Sequence, residues 1–182
     1  MKKILLFVSC VLFGMAALIF AGGTAVVKAK KYYSVNSNYC FFVVPDDGEM
    51  PCKGTLYETG YKAGLLTLWS AGLVNPVSPM NVLIPDNGKY VVTIDDIDNP
   101  GHSGQLLVIY GAGGKVVRKF ELDDFVNIKE QENLYELKEG YDWFGGHKFE
   151  KNGEVFVFTI KLMGEDGGKT VKLLLKTGER TE

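Results

Sequence analysis

Residues 81–122 have the sequence NVLIPDNGKYVVTIDDIDNPGHSGQLLVIYGAGGKVVRKFEL, which contains the clearest strand and turn signals of the chain. Its apolar and β-branched runs are separated by the turn sequences DNGK at residues 86–89 and GAGGK at residues 111–115, and by a longer polar loop. Asparagine and glycine accept positive φ angles at little cost, so Asn-Gly and Gly-Gly between apolar runs are typical of β-hairpins. The stretch therefore predicts a four-stranded antiparallel meander of the size of one propeller blade.

The same pattern recurs more weakly on both sides of this stretch. A first unit has β-rich runs at residues 31–35, 39–44, 54–58 and 65–69, and a third has them at 143–149, 155–162 and 171–175. Three units are too few to close a propeller, which typically needs four or more blades. We therefore expect an all-β protein of antiparallel meanders, arranged either as a propeller-blade-like stack or as a sandwich.

Two further patterns refine this expectation. The runs QLLVIY at residues 105–110 and VFVFTI at residues 155–160 are apolar at nearly every position, which indicates strands covered on both faces. Residues 122–137 have helical character, with Asp123 or Asp124 as the N-cap. Because the apolar stripe of this segment is narrow, we expect only one short helix there.

Composition and charge limit the classes of protein to which the chain can belong. The 182 residues are 46% hydrophobic and 12% aromatic, which is typical of one globular core and argues against disorder. The first 29 residues contain three lysines and no acids, so the remaining chain has 17 basic and 22 acidic residues and a formal charge of −5. A mildly acidic body without a basic stripe argues against a nucleic-acid partner.

The N-terminus has the pattern of an export signal. Lys2 and Lys3 precede a nearly unbroken apolar run at residues 4–21, and small residues follow it. A positive start, an apolar middle and a small-residue exit are typical of a secretory signal peptide. A run of this length also reaches the lower limit for a membrane-spanning helix, so an uncleaved N-terminal anchor is the alternative.

Both alternatives place the rest of the chain outside the cytoplasm, in the periplasm or the extracellular space. Cleavage is expected after Ala29, with Ala21 and Ala25 as rival positions. The chain therefore divides into a signal peptide or anchor at residues 1–29 and a single β-rich domain at residues 30–182. Any contact with a membrane would come only from an uncleaved N-terminal segment.

Export changes the expectation for the cysteines. Cys10 lies in the signal, which leaves Cys40 and Cys52 as a pair in an oxidising compartment. The turn sequence PDDG at residues 45–48 lies between them, and folding the chain about this turn brings the two thiols within one residue of register. We therefore expect a Cys40–Cys52 disulfide that would contribute roughly 3 kcal/mol in the chain-entropy model.

Three segments resemble a known group of proteins. PDNGKYVVTIDD at residues 85–96 and LLVIYGAGGKVVRKFELDD at residues 106–124, with LWSAGLVNPVSP at residues 68–79, resemble uncharacterised exported bacterial β-rich proteins with propeller-blade-like repeats. The resemblance covers residues 65–125 and implies a β fold and export. Gly111 replaces the aspartate that the group tends to have, and the resemblance implies no catalytic residue.

The densest polar cluster is DDIDNPGH, which begins at Asp95 and ends at His102. Closely spaced carboxylates before a glycine can wrap a Ca²⁺ ion, so Asp95, Asp96 and Asp98 are candidate metal ligands. An EF-hand loop counted from Asp96 would require glutamate where Leu107 stands, so that motif is excluded. A solvated hairpin loop without a metal is the alternative. The same acids with His102 would supply the catalytic groups of an exported hydrolase.

An aromatic segment with glycines at its end follows the predicted helix. Tyr141, Trp143 and Phe144 are candidate binding residues, because exposed aromatic rings can recognise a carbohydrate, a peptide or a partner protein. The alternative is that these rings form a plug that closes the hydrophobic core.

These observations favour one function over another. Without a catalytic motif, the sequence favours an exported, non-enzymatic binding or structural protein of the bacterial cell envelope, with an unknown protein or carbohydrate ligand and no cofactor. The exported hydrolase is the alternative. An open sheet edge could also join two copies into a homodimer.

Overall fold

The computed structural model describes residues 27–61, 64–102, 104–137, 140–164 and 168–182. The predicted signal or anchor lies almost wholly outside these ranges, so the apolar run at residues 4–21 and its cleavage stay predictions. Within the described ranges, no helix is long and apolar enough to cross a membrane.

The chain folds into small antiparallel sheets, so the all-β prediction is confirmed. The first sheet contains β1 (Lys30–Tyr33), β2 (Tyr39–Val44), β3 (Lys53–Tyr61) and β4 (Gly64–Gly72). The second contains β5 (Pro79–Leu83), β6 (Val91–Asp96), β7 (Leu107–Tyr110) and β8 (Val116–Phe120). A two-stranded pair, β9 (Glu136–Leu137) and β10 (Gly140–Tyr141), precedes the third sheet of β11 (Phe144–Glu150), β12 (Val155–Ile160) and β13 (Lys169–Leu174). In the three larger sheets the strands are neighbours in chain order, so each sheet is a meander.

The second sheet lies between the other two. Its strands β6 and β7 are buried at every residue. One face packs on the first sheet in a core that includes Phe41, Trp69 and Tyr110. The other face packs on the third sheet in a core that includes Ile109 and Phe158. The prediction that the strand within QLLVIY is covered on both faces is therefore confirmed.

The three meanders form layers and do not close into a propeller in the part of the chain that the structure describes. This agrees with the blade count, because three sheets leave too large a gap for a ring. Alternate side chains of β6 and β7 enter different cores, which is how one central sheet serves two neighbours.

The helical segment is shorter than the sequence predicts. The α-helix, α1, covers only Ile128–Gln131, and its N-cap is Asn127 rather than Asp123 or Asp124. The Asn127 side chain accepts a hydrogen bond from the Glu130 amide at 3.0 Å, and the Glu130 carboxylate accepts one from the Asn127 amide at 2.8 Å. This capping box starts the helix late, after a separate 3₁₀ turn that contains both aspartates.

The predicted Cys40–Cys52 disulfide does not form, and both cysteines are buried free thiols. The register of β2 and β3 gives the reason, because Cys40 is paired with Tyr57 while Val44 is paired with Lys53. Cys52 therefore lies about five residues, or about 17 Å, along the strand from Cys40, whereas a disulfide needs Cα atoms within roughly 7 Å. The prediction was wrong because the β2–β3 hairpin is centred between residues 48 and 49, two residues beyond the centre of PDDG.

Candidate functional site

The predicted acidic loop is tied to the protein interior by hydrogen bonds. Asp95 is 3% exposed, and its carboxylate accepts hydrogen bonds from the Gly101 amide at 2.8 Å and from the indole N–H of Trp143. The buried carboxylate of Asp96 accepts from the Val77 amide and from the Asp98 amide, both at 3.2 Å. These N–H groups compensate the charges of the two buried carboxylates, as burial requires.

This geometry gives no support to the predicted calcium site. In the described residues, no group of three histidine, cysteine, aspartate or glutamate side chains is placed to hold a metal ion. Asp98 is exposed, whereas Asp95 and Asp96 are buried and already accept hydrogen bonds. His102 is also exposed, and its ring is tilted against that of Tyr141, with the ring centroids 4.7 Å apart. The loop therefore acts as a structural connection in this fold, and its catalytic use stays a prediction.

The predicted aromatic segment is mainly a plug for the core. Trp143 is 1% exposed and lies against Phe125 and Phe158, with centroids at 6.4 and 6.1 Å. Phe144 and Tyr141 are half-buried and pack against the same core. Trp143 is therefore not a ligand-facing residue, which corrects its assignment as a binding residue. The indole N–H is satisfied inside the protein by Asp95, so its burial carries no unpaired donor.

The polar and glycine residues of that same segment line a surface groove of about 470 Å³. This volume falls in the range that is typical of small-molecule sites. We call it the Asp142–Lys161 groove. Its lining residues are Tyr135, Asp142, Gly145, Gly146, Thr159, Lys161, Leu162 and Gly168.

A bulge in β11 makes the floor of the groove. Phe144 is paired with Ile160 and His147 with Phe158, so Gly145 and Gly146 together lie opposite the single residue Thr159. Two residues against one is the definition of a β-bulge. A Cβ atom at Gly146 would have nothing within 4 Å, so it would project into open space. The absence of two side chains at the bulge therefore leaves the groove open above Thr159.

Gly168 closes the other side of the floor. Its φ angle is +67°, and a Cβ atom there would lie 2.2 Å from the carbonyl oxygen of Ile160. Only glycine adopts this conformation without strain and also allows the chain to approach β12 so closely. The start of β13 is thereby held against the end of β12, beside the groove.

An ion pair forms the polar wall of the groove. The ammonium of Lys161 lies 2.7 and 2.8 Å from the two carboxylate oxygens of Asp142. Main-chain bonds fix both residues, because the Lys161 amide donates to the carbonyl of Trp143 at 2.8 Å and the Asp142 amide donates to that of Tyr135 at 2.9 Å. The two side chains are 40% and 47% exposed, so a ligand can reach both charges.

A second ion pair connects β13 with α1 next to the groove residue Gly168. Lys169 donates to both carboxylate oxygens of Glu130, at 2.8 and 2.9 Å, and so connects β13 to α1. The hydrogen bond from Lys169, together with the one from the Asn127 amide, holds the pKa of Glu130 below its ordinary value. The segment between α1 and β9, which carries Tyr135, is thereby anchored to the third sheet.

The groove offers complementary chemistry to a hydroxyl-rich molecule. Asp142 accepts hydrogen bonds, Lys161 donates them, and the charges of the pair cancel, so the site favours a ligand that is polar and neutral. Tyr135 is 47% exposed and supplies an aromatic ring at the rim. An exposed ion pair of this kind contributes at most about 1 kcal/mol to stability, so a ligand can exchange its own hydroxyls into it at small cost.

Sequence reasoning found this site only in part. It named the segment that contains Asp142, Gly145 and Gly146, but it gave the binding role to the aromatic neighbours of these residues. Lys161 is 19 residues from its partner and sits at the end of a strand, where no motif marks it. The glycine pair in a strand was the available signal, because glycine inside a β-strand often indicates a bulge.

No protein-family model matches the chain, and no curated protein matches it in sequence.

Proposed function

We propose that the protein is an exported, non-enzymatic binding protein of the bacterial cell envelope, and that its ligand is a saccharide held in the Asp142–Lys161 groove. The carrying observation is the glycine-floored groove in which a bidentate ion pair, half open to solvent, lies near an exposed tyrosine ring. Sugars carry hydroxyls that both donate and accept, together with an apolar ring face that stacks on aromatic side chains.

The envelope assignment rests on the N-terminal pattern of two lysines, an apolar run and small residues. It is tested by recovering the protein from its host and determining its first residue and intact mass. We expect the chain to start at Lys30 in the periplasmic or extracellular fraction. A cytoplasmic chain that retains Met1 would contradict the proposed location.

The binding assignment is tested by saturation-transfer difference NMR with neutral mono- and disaccharides and with soluble fragments of cell-envelope polysaccharide. We expect saturation transfer to at least one member of this panel, and loss of the signal in Lys161→Met and Asp142→Asn. The absence of binding to every member would contradict the saccharide assignment.

A matched pair of glycine variants separates groove filling from general disturbance. Gly146→Leu places a side chain in the groove, whereas Gly72→Leu places the same side chain at another strand position where a Cβ also meets nothing within 4 Å. We expect Gly146→Leu to weaken binding by about tenfold or more, which corresponds to about 1.4 kcal/mol, and Gly72→Leu to leave it unchanged. Mass spectra of the bound saccharide should show no cleavage product, because hydrolysis would favour the alternative function.

A further inference from the structure

The strand β4 is an edge with unusual composition. It is the last strand of the first sheet and pairs only with β3. Five consecutive residues, 64–68, are exposed, and three of them are leucines. The exposed fractions are 53% for Leu65, 39% for Leu66 and 41% for Leu68. One side of the β4 backbone therefore faces solvent beside apolar side chains.

The other edges of the three larger sheets carry the residues that normally prevent strand pairing between molecules. Lysine, arginine or proline at an edge opposes the addition of another strand. These residues are Lys30 and Lys31 in β1, Pro79 in β5, Arg118 and Lys119 in β8, Lys148 in β11, and Lys169 and Lys172 in β13. The nine residues of β4, GLLTLWSAG, include no charged residue and no proline.

A shallow apolar groove of about 390 Å³ adjoins the same edge. Leu68 and Trp69 form one side, and the turns before β6 and after β7 contribute Lys89, Tyr90 and Ala112 to the other. Leu68 lies at a bulge, because Leu56 pairs with Trp69 while the next residue of β3 pairs with residue 67. A strand added to β4 would thus place some of its side chains in this groove. Contacts of alternate side chains with such a surface give strand addition its specificity.

We propose that β4 of one molecule pairs with β4 of a second copy in antiparallel orientation, about a two-fold axis, so that the two first sheets become one continuous sheet. An antiparallel pair of identical strands is self-complementary, as an isologous interface requires. Whichever register is used within residues 64–68, only glycine, leucine and threonine oppose one another, so no like charges meet.

The nearest charge behind the edge does not oppose this pairing. Glu58 of β3 is the partner of Leu66 and lies one strand back from the edge. In the paired sheet, the two copies of Glu58 are separated by about three strand spacings, or about 14 Å, which exceeds the screening length of about 8 Å at physiological salt. The two copies of Glu58 therefore add little repulsion to the self-pairing.

Sedimentation equilibrium of the processed protein recovered from its host tests this inference. We expect a reversible dimer over the micromolar to millimolar range. The variant Leu65→Lys adds an edge charge and should raise the dissociation constant at least about tenfold. Leu137→Lys is the matched control, because Leu137 is 51% exposed on the short strand β9, and it should leave the dissociation constant unchanged.

Amide hydrogen exchange locates the interface. We expect residues 64–67 to gain protection as the protein concentration rises, and to lose that gain in Leu65→Lys. A strict monomer at millimolar concentration would overturn the inference, and so would a dimer that dissociates in Leu137→Lys but not in Leu65→Lys. The proposed saccharide site is on another sheet, so these outcomes do not depend on whether saccharides bind.

Discussion

The hydrogen bond between Trp143 and Asp95 provides the sharpest test of how the fold is held together. The indole N–H of Trp143 donates to a carboxylate that is 3% exposed, so Trp143→Phe keeps most of the ring but removes the donor. A hydrogen bond to a charged group contributes about 1.5–3 kcal/mol, and loss of it leaves a buried acceptor less satisfied. The smaller ring adds about 1–2 kcal/mol of lost packing. We therefore expect Trp143→Phe to lower the free energy of unfolding by about 2.5–5 kcal/mol.

Trp69→Phe is the matched control for the loss of packing. Trp69 is 9% exposed and packs against Phe41 and Tyr110 in the first core. No hydrogen bond joins its indole to another described residue, so the variant should lower the free energy of unfolding by only about 1–2 kcal/mol. Urea denaturation followed by far-ultraviolet circular dichroism measures both variants without relying on the tryptophan signal.

A double-mutant cycle isolates the hydrogen bond itself. In an Asp95→Asn background, Trp143→Phe should be less destabilising than in the native chain, because the charged acceptor is already absent. The difference, a coupling energy of about 1–2 kcal/mol, measures the charged part of the interaction. Equal losses for Trp143→Phe and Trp69→Phe, or a coupling energy near zero, would refute the reasoning that this bond anchors the acidic loop to the core.

Three further predictions concern other parts of the third sheet and its surroundings. Glu130→Gln should lower stability at neutral pH but not at low pH, because a depressed pKa stabilises the fold at pH values above the ordinary pKa of 4.5, and this stability is lost as the pH falls through the folded-state pKa. Thermal melts between acid and neutral pH measure the effect, and an unchanged pH profile would contradict the role of Lys169. Gly168→Ala should lower the free energy of unfolding by about 1–3 kcal/mol, because alanine would be strained at a φ of +67°, whereas Gly146→Ala should change it little. Denaturant titration compares the two variants, and equal effects would argue against backbone strain at residue 168. Asp98→Ala should leave both saccharide binding and stability unchanged, since the Asp98 side chain is exposed. A hydrolytic activity that the native chain has and this variant lacks would instead favour the exported hydrolase.

The sequence predicts the strand content because turn chemistry and apolar runs act locally. Asn87-Gly88 and the glycines at residues 111–114 lie in the turns that separate the strands of the second sheet. The run at residues 107–110 is uniformly apolar, and it is buried on both faces between two cores. These features depend on neighbours in the chain, which is why the sequence alone was sufficient for them.

The features that sequence reasoning missed depend on register and on distant partners. Cys40 and Cys52 were predicted to be close because the hairpin was centred on PDDG, but its centre lies two residues further along the chain. Asp95 and Asp96 seemed available to a cation, but donors from Trp143 and Val77 reach them only in the folded protein. Lys161 acquires its role through an ion pair with Asp142, 19 residues away in the chain, which no local pattern encodes.

The two buried thiols have a consequence for how the protein matures. In the unfolded chain, Cys40 and Cys52 are a dozen residues apart, and loops of about that length close in roughly 10–100 ns. A bridge formed then would prevent the pairing of Cys40 with Tyr57 and so block the β2–β3 hairpin. After folding, both thiols are 1% exposed, and burial beside Asp96 and Asp46 raises the pKa of Cys52 to about 11, which leaves little reactive thiolate.

In the oxidising compartment that the proposed export would supply, folding of the β2–β3 hairpin would compete with formation of a non-native disulfide. An oxidant present during refolding should reduce the yield of native protein, and Cys40→Ser should restore it. The same oxidant added after folding should leave the protein intact, because the fold itself shields the thiols from the chemistry of its surroundings.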